Sequence, residues 1–175
     1  KNFNISDWND GTYNVRGVDA ELVYIQRMEH LGFPENWGSF RLRVLHSYNQ
    51  RSDLSSRFSG GERFRGNISQ PFNRLLLGLT YENGPLNFNW VSSYRGGGSV
   101  NLGLSKELDG NHAPNVFYHN VSVNYQFTPW LNLLVGADNI FNKQPPFLAY
   151  NPSNTFPEYY DVVGRRFFLG FKVNI

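Results

Sequence analysis

Residues 143–160, KQPPFLAYNPSNTFPEYY, gather the side chains of this sequence best suited to holding a ligand. Tyr150, Asn151, Asn154 and Tyr159 offer aromatic faces and amide groups, which suit contacts with a sugar, a siderophore or a peptide. The competing use of the same stretch is structural, with Phe147, Tyr150, Phe156 and Tyr159 holding the loop itself together. The remaining polar chemistry is carried by charges: Arg41, Arg43, Arg74, Arg95, Arg166 and Lys172, set against Asp19, Glu21, Glu82 and Asp138. Arg95 and Arg166 are the two expected to face a substrate. The alternative is that such charges simply pair with one another in water.

Other chemistries find little support. The sequence has no Cys, which removes disulfide frameworks and Cys-ligated metal. His30, His46, His112 and His119 lack ligand spacing, and His46 and His119 fall on apolar faces, so no metal or cofactor is expected. Serines are numerous, but none stands out with a His and a carboxylate, so no catalytic residue is assigned and no enzyme is expected. The three glycines at 96–98 lack the strand-to-helix setting of a phosphate-binding loop. A net charge of +2 without any basic run argues against nucleic acid as a partner.

The elements that position these residues read as strands. Apolar and polar residues alternate, as they do when successive side chains point to opposite faces of a sheet. Seven segments show the pattern: residues 13–25, 39–48, 74–82, 86–95, 117–127, 131–141 and 165–175. In the last, Phe167, Leu169, Phe171, Val173 and Ile175 share one face, while Arg166, Gly170, Lys172 and Asn174 share the other; Phe168 breaks the pattern.

The connections alternate in length. Asn-Gly-Pro at 83–85 and Thr-Pro-Trp at 128–130 are tight-turn chemistry, whereas three other connections run to about twenty residues rich in Gly, Ser, Asn and Pro. Short turns at one end and long loops at the other are the pattern of outer-membrane barrels, and rare in compact soluble domains. Strands of about ten residues are long enough to cross a bilayer when tilted. Tyr81, Tyr125, Phe127 and Trp130 cluster beside the short turns, where an interfacial aromatic girdle sits. No run of eighteen apolar residues exists, so no transmembrane helix is expected. The mean hydropathy of -0.46 is uninformative for a barrel whose strands are half polar. Two other architectures use the same alternation. One is a complete eight-stranded outer-membrane barrel of adhesive or structural role, with residues 2–8 (NFNISDW) as the extra strand. The other is a soluble β-sandwich binding module.

From the sixth strand onward the sequence resembles the C-terminal end of a TonB-dependent outer-membrane transporter. LLVGADNIFNKQPP matches that family's pattern through Gly136, Asn139, Phe141, Asn142, Lys143, Pro145 and Pro146. YYDVVGRRFFLGFKVNI matches its ending through Tyr160, Asp161, Gly164, Arg165, Arg166 and Phe167. VRGVDAEL at 15–22 is similar to an Arg-Gly-x-Glu strand of such barrels, with Asp19 in place of Glu, and the final residue is Ile175 where an aromatic is usual. The resemblance implies an all-β, antiparallel transmembrane segment, residues 1–175 forming about the last seven strands of a 22-stranded barrel in the bacterial outer membrane. It also implies import of a scarce nutrient of the siderophore, carbohydrate, peptide or vitamin class. The plug, the remaining strands and the contact with TonB would lie on another polypeptide segment. Phe167, Leu169, Phe171, Val173 and Ile175 would face lipid and form the signal read by the assembly machinery. The segments 13–25 and 165–175 are expected to be free edges.

Overall fold

The computed structural model describes residues 11–56, 60–149 and 152–173. Its strands are β1 (Gly11–Arg27), β2 (Ser39–Ser56), β3 (Gly60–Arg63), β4 (Asn73–Asn83), β5 (Leu86–Arg95), β6 (Gly98–Ser99), β7 (His112–Ala113), β8 (Val116–Thr128), β9 (Leu131–Asp138) and β10 (Arg166–Val173). Among the described residues there is no α-helix, only two 3-10 turns, Met28–Leu31 and Glu35–Trp37, between β1 and β2. The fold is therefore all-β.

One antiparallel sheet runs in the order β1-β2-β4-β5-β8-β9-β10, with β3 attached to the far half of β2, and β6 and β7 form a separate pair. Among the described residues β1 pairs only with β2 and β10 only with β9, so the sheet is open and both outer strands are edges. This is neither a barrel closed on itself nor two packed sheets of a sandwich. The NFNISDW segment considered as an eighth strand lies outside the described residues.

Register carries the alternation of single strands across the whole sheet. One row reads Tyr24, Leu42, Leu79, Trp90, Val121, Ala137 and Phe167 from β1 to β10. The adjacent rows on that face add Leu22, Val44 and Leu77 on one side and Phe88, Val123, Val135 and Leu169 on the other. The opposite face holds Glu21, Arg43, Thr80, Asn89, Ser122, Arg166 and Lys172, interrupted by Leu45, Leu76, Val91 and Leu134. Because the side-chain period is two, a one-residue slip in any pair would exchange the faces; seven strands that agree fix the register. Phe168, the break in the sequence pattern, lies on the polar face with its ring over Gly136, where a Cβ would come within 2.3 Å of it.

Among the described residues no element covers the apolar face. Phe167, Leu169 and Phe171 are 75%, 70% and 76% exposed. The buried cluster lies instead at the long-loop end, where Ile68, Ala113, Val116, Leu148 and Tyr160 meet with Val100, Tyr118, Phe156 and Tyr159 packed against them. Gly97 and Gly98 belong to this meeting of loops: a Cβ would stand 2.5 Å from the Ala113 carbonyl at Gly97 and 2.8 Å from the Asn67 backbone at Gly98. Close backbone approach explains the glycine run.

The observed elements depart from the sequence reading at several points: β3, β6 and β7 have no counterpart in it, and the larger differences of extent lie in β2, β9 and the β1–β2 connection. β2 continues to Ser56, eight residues past Tyr48, because a shift opposite Arg16 and Gly17 lets the polar stretch keep pairing with β1 while β3 joins its outer end. β9 stops at Asp138, because Asn139 adopts φ 47° and leaves the extended region. The β1–β2 connection, residues 28–38, sits at the end of the tight turns, so that end is not uniformly short.

Candidate functional site

The loop-end half of the polar face contains a recess of about 400 Å³ lined by Ser47, Arg74, Ser93, Arg95, Tyr118 and Tyr159 among others. β2, β4, β5 and β8 contribute by register, and Tyr159 comes from the long loop before β10. Arg74 and Arg95 are direct cross-strand partners. Arg74 donates to the Ser69 carbonyl at 2.7 Å, and Arg95 donates to the Ile68 carbonyl. The Arg95 guanidinium lies 4.7 Å from the Tyr159 ring centroid and 5.9 Å from that of Tyr160, within cation–π range. The half-buried Arg95 thus ties together the loops after β3 and before β10. A neighbouring recess of about 450 Å³, lined by Arg16, Asp19, Asn49 and Gln70 among others, shares Ser47 and Arg74.

A larger open cleft of about 870 Å³ lies between the loops around Arg63, Phe72, Leu102 and Lys106. It carries Arg63, Arg65 and Lys106 with a single acid, Glu62, and Arg65 is committed to the Asn49 carbonyl and the Tyr48 hydroxyl while stacking 4.4 Å from the Phe72 ring. The recess at Arg74 and Arg95 is the stronger site, since no acid lines it and its two cations face each other directly across one ladder.

No known protein family, curated protein or solved structure matches this chain.

Of the residues expected to contact substrate, Arg95 and Tyr159 are brought together. Asn154 stands on an exposed turn at φ 53°, its carbonyl accepting from Leu148 N–H at 2.8 Å. Arg166 opens β10 and pairs with Asp138 at 3.5 Å, outside both recesses. Tyr150 and Asn151 lie outside the described residues, as does Ile175 of the terminal strand. Phe167, Leu169, Phe171 and Val173 form one exposed apolar row on β10. Arg74 stood in the sequence among the charges that could carry polar chemistry, but its opposition to Arg95 follows from register alone.

The segments that carry the family resemblance fold onto each other. The Asn139 side chain donates to the Lys143 carbonyl at 3.0 Å and to Asp161 Oδ2 at 2.9 Å, while its own Oδ1 accepts from Lys143 N–H at 2.7 Å. Asp161 Oδ1 accepts from Val163 N–H at 3.0 Å and Gly164 N–H at 3.3 Å, and Asn142 Oδ1 accepts from Arg165 N–H at 3.1 Å. Partial burial works to raise the Asp161 carboxyl, but these donors and Arg166 outweigh it and hold the group below the ordinary carboxylate range. Gly164 sits at φ 82°, a backbone that glycine adopts without strain. Burial pushes the Tyr160 phenol up, opposed in part by Arg95.

The histidines on the apolar face are locally satisfied. His46 Nε2 meets Asn73 Oδ1 at 3.1 Å. His119 Nδ1 meets Ser92 Oγ at 2.7 Å, and Trp90 Nε1 donates to the same oxygen at 2.8 Å. The Ser92–His119 pair has no carboxylate orienting it among the described residues; His119 packs edge-on between Trp90 and Phe141. Among the described residues no three His, Asp or Glu side chains converge to hold a metal.

Proposed function

We propose that this chain is part of a TonB-dependent transporter of the bacterial outer membrane, its apolar sheet face against lipid and its polar face along the import path. The observation that carries the reading is the uncovered apolar face, held in register across all seven strands while the buried cluster lies among the loops. Leaving Phe167, Leu169 and Phe171 in water would forfeit roughly 1.5–3 kcal/mol each relative to an apolar surrounding. Lipid supplies that surrounding.

Strand length fits the same reading. From Phe117 to Phe127 is ten residue steps, about 34 Å at 3.4 Å each. At a tilt of ~40° this becomes about 26 Å, close to the ~25 Å apolar band of outer-membrane barrels. Aromatic pairs mark both ends of the face: Tyr94–Phe117 at 4.7 Å toward the long loops, and Phe40–Tyr81 at 4.6 Å with Tyr125–Phe127 at 4.7 Å toward the short turns. β1 and β10 both run from the loop end to the turn end, so seven staves leave two bare edges for the strands of another polypeptide segment to complete. The plug, the contact with TonB and the nutrient belong to that completed assembly. The match of 136–146 and 160–167 to the family pattern supports the assignment.

The test is behaviour with and without amphiphile. The purified chain is expected to aggregate in buffer, to become monodisperse in detergent, and to co-sediment with phospholipid vesicles after refolding. A monodisperse chain in plain buffer would overturn the reading.

A further inference from the structure

The polar wall holds a pair of like charges without a counter-charge. Arg74 and Arg95 face each other across β4 and β5, an arrangement that destabilises a sheet when nothing offsets it. Among the described residues neither forms an ion pair with an Asp or Glu. The acids of that face are engaged elsewhere: Glu21 with Arg43 at 2.9 Å, Asp138 with Arg166 at 3.5 Å, and Glu82 with the Asn87 side chain at 3.1 Å. Asp19 stands in the same row but two strands from Arg74, on the order of 10 Å away at the usual strand spacing.

Each guanidinium is anchored without being used up. Backbone carbonyls of residues 68 and 69 take donors from both, and the Tyr159 ring lies against Arg95, yet each arginine carries five N–H donors. Ser47, Ser93 and Tyr118 add hydroxyls around the same recess. The planar fork of arginine matches carboxylate and phosphate with two parallel hydrogen bonds, which neither a neutral sugar nor an apolar group can return.

We propose that Arg74 and Arg95 form an oxyanion site on the polar wall, taking a diffusible ligand that bears carboxylate or phosphate groups. The recess of about 400 Å³ adjoins that of about 450 Å³ through Ser47 and Arg74; Arg16 and Asp19 both line the second, so it adds room and polar lining while the anionic groups sit at Arg74 and Arg95. Its role in import rests on the transporter reading; its binding does not.

The chain in detergent micelles is titrated calorimetrically with citrate and with inorganic phosphate, glucose serving as the neutral control. Citrate is expected to bind, more weakly as salt rises, with Arg74→Gln losing at least tenfold in affinity and Arg74→Lys recovering part of it. Arg74 is exposed and among the described residues makes one hydrogen bond, to the Ser69 carbonyl, so this variant keeps the fold; Arg95→Gln is the second variant, read beside its circular dichroism. Equal citrate affinity in the wild type and Arg74→Gln would overturn the site. So would the absence of citrate and phosphate binding, including the case where only an acidic peptide such as acetyl-Asp-Glu-Asp-amide binds, which would assign the pair to a polypeptide inside the lumen. A chain that enters vesicles without binding either anion sinks the site alone. One that binds citrate but stays out of vesicles sinks only the membrane reading.

Discussion

The Asn139 amide donates to Asp161 Oδ2 at 2.9 Å, joining residues 22 apart in sequence where β9 ends and the approach to β10 begins. Asn139 is 2% exposed and sits at φ 47°, a conformation that Asn tolerates because its short polar side chain bonds locally. It fixes the long loop to both strands.

Replacing Asn139 with Ala removes three side-chain hydrogen bonds, frees the Lys143 N–H and carbonyl and one Asp161 oxygen from their partner, and keeps a strained backbone. The expected loss is on the order of 2 kcal/mol or more. It should appear as a lower denaturant midpoint in micelles and as faster proteolysis between residues 143 and 160.

Acid should loosen the same loop. The Asp161 carboxyl titrates below its ordinary value in the folded chain, so its contribution is present above the unfolded pKa and is lost as pH falls through the lowered one. Hydrogen exchange of residues 161–164 should therefore rise in acid, below the ordinary carboxylate range. In Asp161→Asn that acid-dependent step should be absent, with the loop less protected at neutral pH.

Gly136 tests the close approach on β9. A Cβ there would stand 2.3 Å from the Phe168 ring and 2.7 Å from the Val121 carbonyl. Gly136→Ala should cost roughly 1–3 kcal/mol by overpacking. Pairing it with Phe168→Leu should restore only part, because the Val121 backbone cannot move aside.

The two faces of β10 should respond oppositely to charge. Leu169→Arg places a cation on the apolar face near mid-strand and is expected to destabilise the membrane-inserted form by about 2–4 kcal/mol. Lys172→Gln on the polar face should change it little. Equal effects at the two positions would contradict the assignment of faces.

The long strands were legible because a half-apolar strand states its register in a period of two. β5 starts and ends where the alternation does, at Leu86 and Arg95. β3, β6 and β7 were not, because elements of two to four residues carry no period. The loop core was hidden for a related reason. Ile68, Ala113, Leu148 and Tyr160 fall without a period in three separate connections between the long strands, joined only by the tertiary fold. At the site, Arg95 and Tyr159 were visible by type, but the alignment of Arg74 with Arg95 depends on the register of β4 and β5. Arg166 read as equivalent to Arg95, yet it has Asp138 opposite in the ladder, a partner that only strand pairing identifies.

Spin labels placed singly on β8 in vesicles test the lipid-facing sheet most directly. Labels at Val121, Val123 and Tyr125, on the apolar face, should be accessible to oxygen dissolved in lipid and shielded from a water-soluble nickel chelate. Those at Ser122, Asn124 and Gln126 should show the reverse. Loss of that alternation, or apolar-face labels open to the nickel chelate, would contradict it.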